Sequence, residues 1–147
     1  LNNDAKLVSF SDKIHLVPFG EYLPFKNFLP NINIFSDYSP GKSRHSVALN
    51  KKLNYLPLIC YEAIFPDKLK YQGAKANFII NITNDAWYGF SSGPFQHFRQ
   101  AQLRAIEQHL PLIRVGNNGI TAAIDSYGRI IKKLDLNKSG YIIVSLP

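Results

Sequence analysis

The chain has 147 residues, enough for one ordinary domain with its own core, and its 46% hydrophobic and 18% charged residues exclude a disordered or low-complexity polypeptide. A single cysteine excludes an internal disulfide framework, no stretch approaches the roughly 18–20 apolar residues of a membrane span, and "LNNDAKLVSF" is not a signal peptide, so the chain is expected to be a soluble piece. The formal charge of +7 is scattered over lysines such as Lys51, Lys52, Lys70, Lys75, Lys132 and Lys133, with no nucleic-acid-binding motif, which leaves a solvated face or an attraction to anionic phospholipid headgroups.

Short β-rich runs recur along the chain: 6–10, 55–61, 77–83, 111–116, 120–125, 129–134 and 141–146. Several are continuously apolar rather than alternating, which suits strands buried on both faces. Between the second and third runs, Pro66 and Asp67 suit a helix start and Gly73 its end, giving a predicted βαβ unit. The clearest predicted helix begins near Pro94, carries Phe95, Phe98, Ala101 and Ala105 at three-to-four spacing, and stops before Pro111. "NNG" (117–119) and "DSYGR" (125–129) are turn signals between strands that can pair as hairpins. The fold class is therefore mixed α/β with an antiparallel-leaning C-terminal part. One segment, 22–47, fits neither element type. It is long, punctuated by Pro and Asn, and loaded with Phe25, Phe28, Leu29, Ile32, Ile34 and Phe35, as a core cover or a lipid-meeting lid would be.

Cys60 ends the apolar run 56–59 and precedes the predicted crossover helix. A lone cysteine is ordinarily packing material. At a helix N-terminus, however, the macrodipole and free amides favour its thiolate and can hold an oxyanion after attack on a carbonyl. In "DKIHLVPFGEYLP" (12–24), Lys13 and His15 alternate along an extended run, and Gly20-Glu21 turns the chain to present a carboxylate. A lysine held by a carboxylate can neutralise a tetrahedral oxyanion; the bland alternative is a surface ion pair. His15 is a candidate base, but nothing in the spacing separates it from His45, His97 or His109. Asn84, Asp85 and Trp87 follow a strand end, where they can shape a pocket or form an Asx-turn with an aromatic plug. Arg104 and Glu107 make a structural i,i+3 pair.

Taken together, "KIHLVPFGEYLP", "ICYE", "NITNDAWYG", "GPFQHFRQAQLRAIE", "PLIRVGNNGITAAIDSYGRI" and "GYIIVSLP" resemble, in order and spacing, the bacterial apolipoprotein N-acyltransferases of the carbon–nitrogen hydrolase (nitrilase) superfamily. The resemblance implies a Glu–Lys–Cys triad on an αββα sandwich. Cys60 would be the nucleophile, Lys13 the oxyanion-stabilising lysine and Glu21 a second required acid. Tyr61 and Glu62 match residues needed after the nucleophile, and Trp87 falls in a loop associated with substrate access. The implied reaction takes an acyl chain from a phospholipid donor as a thioester and passes it to the diacylglyceryl-cysteine of an apolipoprotein acceptor. It needs no cofactor or metal and involves no nucleic acid. It places the site at a membrane surface, on the periplasmic side of the bacterial inner membrane.

Relative to that family, the chain reads as the C-terminal half of the catalytic domain. The triad's glutamate belongs to an N-terminal half, with membrane helices before it, that this sequence does not contain. Gly116 stands where a hydroxyl residue is common before "NNG". The expectation is a chain that is catalytically poor on its own. The competing readings are a soluble carbon–nitrogen hydrolase acting on a small amide or nitrile, and a non-catalytic remnant of a split gene.

Overall fold

The computed structural model describes residues 5–7, 9–25, 28, 37–66 and 69–146. Among these, strands β1 (Val47–Ala48), β2 (Asn54–Ile59), β3 (Phe78–Asn84), β4 (Leu112–Asn117), β5 (Thr121–Ile124) and β6 (Ile130–Leu134) form one sheet in sequence order. β2, β3 and β4 run parallel; β1 and the β5–β6 hairpin add antiparallel edges. Helix α1 (Gly93–Gln108) returns the chain from β3 to β4.

The pleat sorts the parallel strands into two faces. Leu56, Ile79, Leu112 and Ile124 lie abreast in one row, and Leu58, Asn81, Arg114 and Ala122 in the next, all buried. α1 covers these rows with Pro94, His97, Phe98, Ala101, Ala105 and Arg104, the three-to-four spacing expected of a core-facing stripe. Pro94 occupies the first turn, and His109, in the left-handed conformation, closes the last one. The predicted helix and the strands at 55–61, 77–83, 111–116, 120–125 and 129–134 are thus all present, with small shifts at their ends.

Two predicted strands are not. Among the described residues of 6–10 (Val8 lies outside them) and throughout 141–146 there is no strand, and Leu7, Phe10, Tyr141 and Ile143 are exposed. A strand is held by its cross-strand neighbours, and among the described residues neither segment pairs with a strand of the sheet. The crossover helix is also corrected. Asp67 lies outside the described residues, and 69–77 contains no helix. Phe65 is extended (φ −99°, ψ 104°), as the residue before a proline tends to be. Gln72 then pairs with the 44–46 segment, donating to the Arg44 carbonyl at 2.8 Å and accepting from the Ser46 amide at 3.0 Å. The backbone groups that a helix would use are spent on this strap. Just after β2 the chain forms a five-residue 3₁₀ turn, Cys60–Ile64. Of the 22–47 segment, Leu29, Ile32, Ile34 and Phe35 lie outside the described residues, while Phe25 and Phe28 are exposed.

Candidate active site

The parallel strands end together at Ile59, Asn84 and Asn117, and the chemistry-bearing residues gather beyond them, the usual place for a site in an open α/β sheet. Cys60 follows β2 directly, half-buried and in the left-handed backbone region (φ 51°). A non-glycine residue there is strained by about 1–3 kcal/mol and persists only where its surroundings over-determine it. Cys60, Glu21, Tyr61 and Trp87 line one cavity of about 190 Å³, together with Val17, Gly20, Asn84 and Tyr88. Four of the six predicted site residues therefore meet at one place.

Lys13 reaches that place through Glu21. Its Nζ donates to both carboxylate oxygens, at 2.6 and 2.7 Å, and the Val17 amide donates to Oε2 at 2.8 Å. With side chains 11% and 23% exposed, this is not the solvated surface pair of the bland alternative. The tight turn at 17–21, closed by the Glu21 amide on the Val17 carbonyl (2.9 Å), is what folds the carboxylate back onto the lysine.

Glu62 is turned away from the cavity. Its Oε1 accepts from the Ile14 and His15 amides (2.8 and 3.3 Å) and from Arg44 Nη2 (2.9 Å); its Oε2 accepts from Arg44 Nη1 (3.0 Å) and the Ile59 amide (2.7 Å). Burial pushes this carboxyl upward, but the Arg44 hydrogen bonds and charge, with the Ile59 and Ile14 amides, outweigh it and hold it below the usual carboxylate value. Chemically, Glu62 is a brace: it fastens the backbone next to Lys13 to the backbone next to Cys60.

Behind Cys60 lies a buried polar network. His97 Nδ1 lies 2.8 Å from Asp85 Oδ1, and His97 Nε2 lies 3.2 Å from the Cys60 carbonyl. Arg114 Nη2 donates to Asp85 Oδ2 at 2.7 Å, and Arg114 Nη1 donates to Asn81 Oδ1. Thr83 Oγ1 donates to Asp85 Oδ1 at 3.1 Å. Burial again pushes Asp85 upward, and the His97 hydrogen bond and Arg114 charge override it, so its carboxyl lies below the ordinary value. Gly119 belongs to this network by omission. A Cβ there would sit 2.3 Å from Asp85 Oδ2, so the "NNG" turn needs glycine at its third position. Asn84 makes the expected Asx-turn, accepting from the Ala86 amide at 3.2 Å, but Trp87 is 74% exposed at the cavity rim rather than plugging it.

The four histidines now separate. His15 packs on Phe65 (ring centroids 4.9 Å apart), His45 bonds Ser43, and His109 caps α1. His97, by contrast, reaches the Cys60 carbonyl from inside the core. Sequence reasoning left it among equals, although a signal existed: His97 falls on the apolar stripe of α1, between Pro94 and Ala101, where a polar ring must have a partner.

The family model for carbon–nitrogen hydrolases matches residues 1–147. The chain belongs to the carbon–nitrogen hydrolase family. An apolipoprotein N-acyltransferase from Brucella melitensis is 52% identical over 153 aligned residues, covering all of this chain and 29% of the relative. One from Rickettsia prowazekii is 49% identical, covering 99% of this chain and 30% of the relative. The chain thus spans under a third of the length of these curated relatives. Among solved structures, a carbon–nitrogen hydrolase superfamily protein from Xanthomonas campestris, with an arsenic adduct in its active site, superposes with a TM-score of 0.60 at 19% identity, over 86% of this chain and 48% of that one. A nitrilase-superfamily member from Saccharomyces cerevisiae gives 0.60 at 19% identity, over 94% and 48%. The carbon–nitrogen hydrolase chain is therefore α/β with the nitrilase-superfamily fold, and it accounts for about half of each of those structures. Among its described residues no helix is long and apolar enough to cross a membrane.

Proposed function

We propose that this chain carries the cysteine side of an N-acyltransferase site, which moves an acyl chain from a phospholipid to the diacylglyceryl-cysteine amine of an apolipoprotein. The observation that carries the reading is the shared cavity: Cys60 faces the same space as Glu21, and Glu21 holds Lys13 by both oxygens. The 43–52% identity to apolipoprotein N-acyltransferases supports this substrate class. In the first step the Cys60 thiolate attacks the donor ester carbonyl and Lys13 stabilises the oxyanion. The ester C–O bond breaks, and lysophospholipid leaves with a proton. In the second, the acceptor amine attacks the thioester, the C–S bond breaks and Cys60 is regenerated. Tyr61 and Trp87 wall the acyl path. Glu62 acts at one remove, bracing the two backbone segments that carry Lys13 and Cys60.

The proton has no obvious home within the cavity. Among the described residues Glu21 is the one carboxylate that lines it, and it is committed to Lys13. A second carboxylate, acting as base, is accordingly assigned to the remainder of the catalytic domain, of which this chain is one part. That remainder also covers the open face of the sheet, where Ile59, Ile82 and Val115 lie abreast and Ile82 is 58% exposed. The exposed Phe25 and Phe28 belong to the lipid-facing arm, on the periplasmic side of the inner membrane.

The test is co-expression with the region that precedes the matching segment in the Brucella melitensis relative, followed by assay of acyl transfer to a diacylglyceryl-cysteine lipopeptide. Transfer is expected from the pair and not from the chain alone. In the pair, Lys13→Ala should lower the rate by about 10²–10³, the scale of one lost oxyanion donor, with lipid binding nearly unchanged. Turnover of small amides that survives deletion of 25–35, with no transfer to the lipopeptide, would mark a soluble amidase. No turnover of either kind would mark a remnant.

A further inference from the structure

The buried network behind Cys60 begins and ends on the same short piece of backbone. Asn81 Nδ2 donates to the Leu58 carbonyl at 3.0 Å. From Asn81 the chain of contacts runs through Arg114 and Asp85 to His97, and His97 Nε2 returns to the Cys60 carbonyl. Two carbonyls, Leu58 on β2 and Cys60 just past its end, are therefore gripped by the two ends of one polar chain drawn from β3, β4, the 3₁₀ turn Asp85–Tyr88 and α1. A carbonyl only accepts, so the contact requires hydrogen on His97 Nε2. Nδ1 faces both Asp85 Oδ1 (2.8 Å) and Arg114 Nη2 (3.2 Å), accepting from the guanidinium or, where it too carries hydrogen, donating to the carboxylate; either contact orients the ring, and the Tyr88 ring lies 5.6 Å from it. The participants are nearly inaccessible: His97 is 2% exposed, Asp85 1% and Arg114 0%. The left-handed turn at Cys60 is the strained element that such a grip would over-determine.

We propose that His97 is a positioning residue for Cys60: its Nε2 donates to the Cys60 carbonyl and, braced by Asp85 and Arg114, fixes the strained turn that presents the thiol to the cavity. The proposal rests on Cys60 being the nucleophile, and it adds a residue that never touches substrate. It also gives a reason for a cluster of charges beneath the core-facing stripe of α1, where leucines would pack as well and hold no carbonyl.

Cys60 is the only cysteine in the 147-residue chain, so its alkylation by iodoacetamide can be followed without interference. The informative pair is His97→Asn and His97→Gln. Asn places an amide near the position of Nδ1, able to answer Asp85 but short of the Cys60 carbonyl. Gln places one near Nε2. With both variants melting cooperatively, His97→Asn should alkylate about tenfold more slowly than the wild type, the scale of one lost hydrogen bond, and His97→Gln should stay within about threefold of it. Equal rates in all three proteins, or equal losses in the two variants, would overturn the proposal. If neither variant folds, Asp85→Asn, which leaves the ring but weakens its brace, should slow alkylation by an intermediate factor, and an unchanged rate there would overturn it as well. The nucleophile reading fails separately: a wild-type rate no faster than free cysteine, with no thioester in the co-expressed pair, removes that reading, while the ratio between variants still decides the role of His97.

Discussion

On the face of the sheet beneath α1, the residues include Arg114, Asn81 and Thr83, yet that face is sealed. On the other face, the same strands present Ile59, Ile80, Ile82, Ile113 and Val115, yet Ile82 is 58% and Val115 49% exposed. The buried side carries polar groups set within its apolar core, while a wholly apolar row on the other side stands partly open, which hydrophobicity alone would not arrange. Asn81, Thr83, Asp85, His97 and Arg114 each have at least one hydrogen-bond partner there, so their burial is tolerable as a set. The open side has surface but no partner among the described residues. The sealed face holds the backbone at Cys60; on the proposed reading, the open face is where a further layer of the domain packs.

The sealed face breaks most severely at Asp85. Asp85→Ala leaves Arg114 buried without its carboxylate and His97 without its orienting partner, and should destabilise the chain by about 3–5 kcal/mol, measurable by urea unfolding. A loss below about 1 kcal/mol would mean the charges were never coupled. The pH dependence follows from the same groups. Asp85 and Glu62 both have native carboxyls below their ordinary values. Their contribution is therefore complete above about pH 4–4.5, where the unfolded carboxyls are ionised, and is lost as pH falls through the depressed native values. Unfolding free energy that rises on acidification from pH 6 to pH 3 would contradict this assignment.

Gly119→Ala tests the sealed face more gently. The added Cβ meets the Asp85 carboxylate, so the network must shift, at a cost of about 1–3 kcal/mol in unfolding experiments. The smallest effect is expected on the open face. Val115→Thr and Ile82→Thr should change the stability of the isolated chain by no more than about 0.5 kcal/mol. In the co-expressed pair the same substitutions should weaken association of the two parts. A large loss in the isolated chain would show that the open face is already covered there, for instance by a second copy.

How much of the molecule is legible in its sequence depends on how local the determinants are. α1 announces itself because Pro94, the 94–97–98–101–105 stripe and Pro111 lie within one short stretch. The parallel strands are legible as continuous apolar runs, and Cys60 at a strand end is legible as a place. Non-local facts are not. The runs 6–10 and 141–146 have strand composition, but composition does not supply a neighbour. The crossover helix fails because Gln72 is already engaged with Arg44 and Ser46, nearly 30 residues away. The Asp85–His97–Arg114 set joins positions 12, 17 and 29 residues apart, with no motif spacing to give it away. Glu62 is legible as a carboxylate two residues past Cys60, but only its five hydrogen bonds reveal it as a brace facing away from the cavity.

The central claim is that Cys60 becomes acylated, and the mass of the intact chain reads this directly. After incubation with phospholipid vesicles, the chain co-expressed with the remainder of its domain should gain one acyl group, removable by neutral hydroxylamine and absent in Cys60→Ser. The chain alone should gain little, since among the described residues the carboxylate lining the cavity, Glu21, is committed to Lys13. An acyl adduct that persists in Cys60→Ser, or strong acylation of the unpartnered chain, would contradict the account.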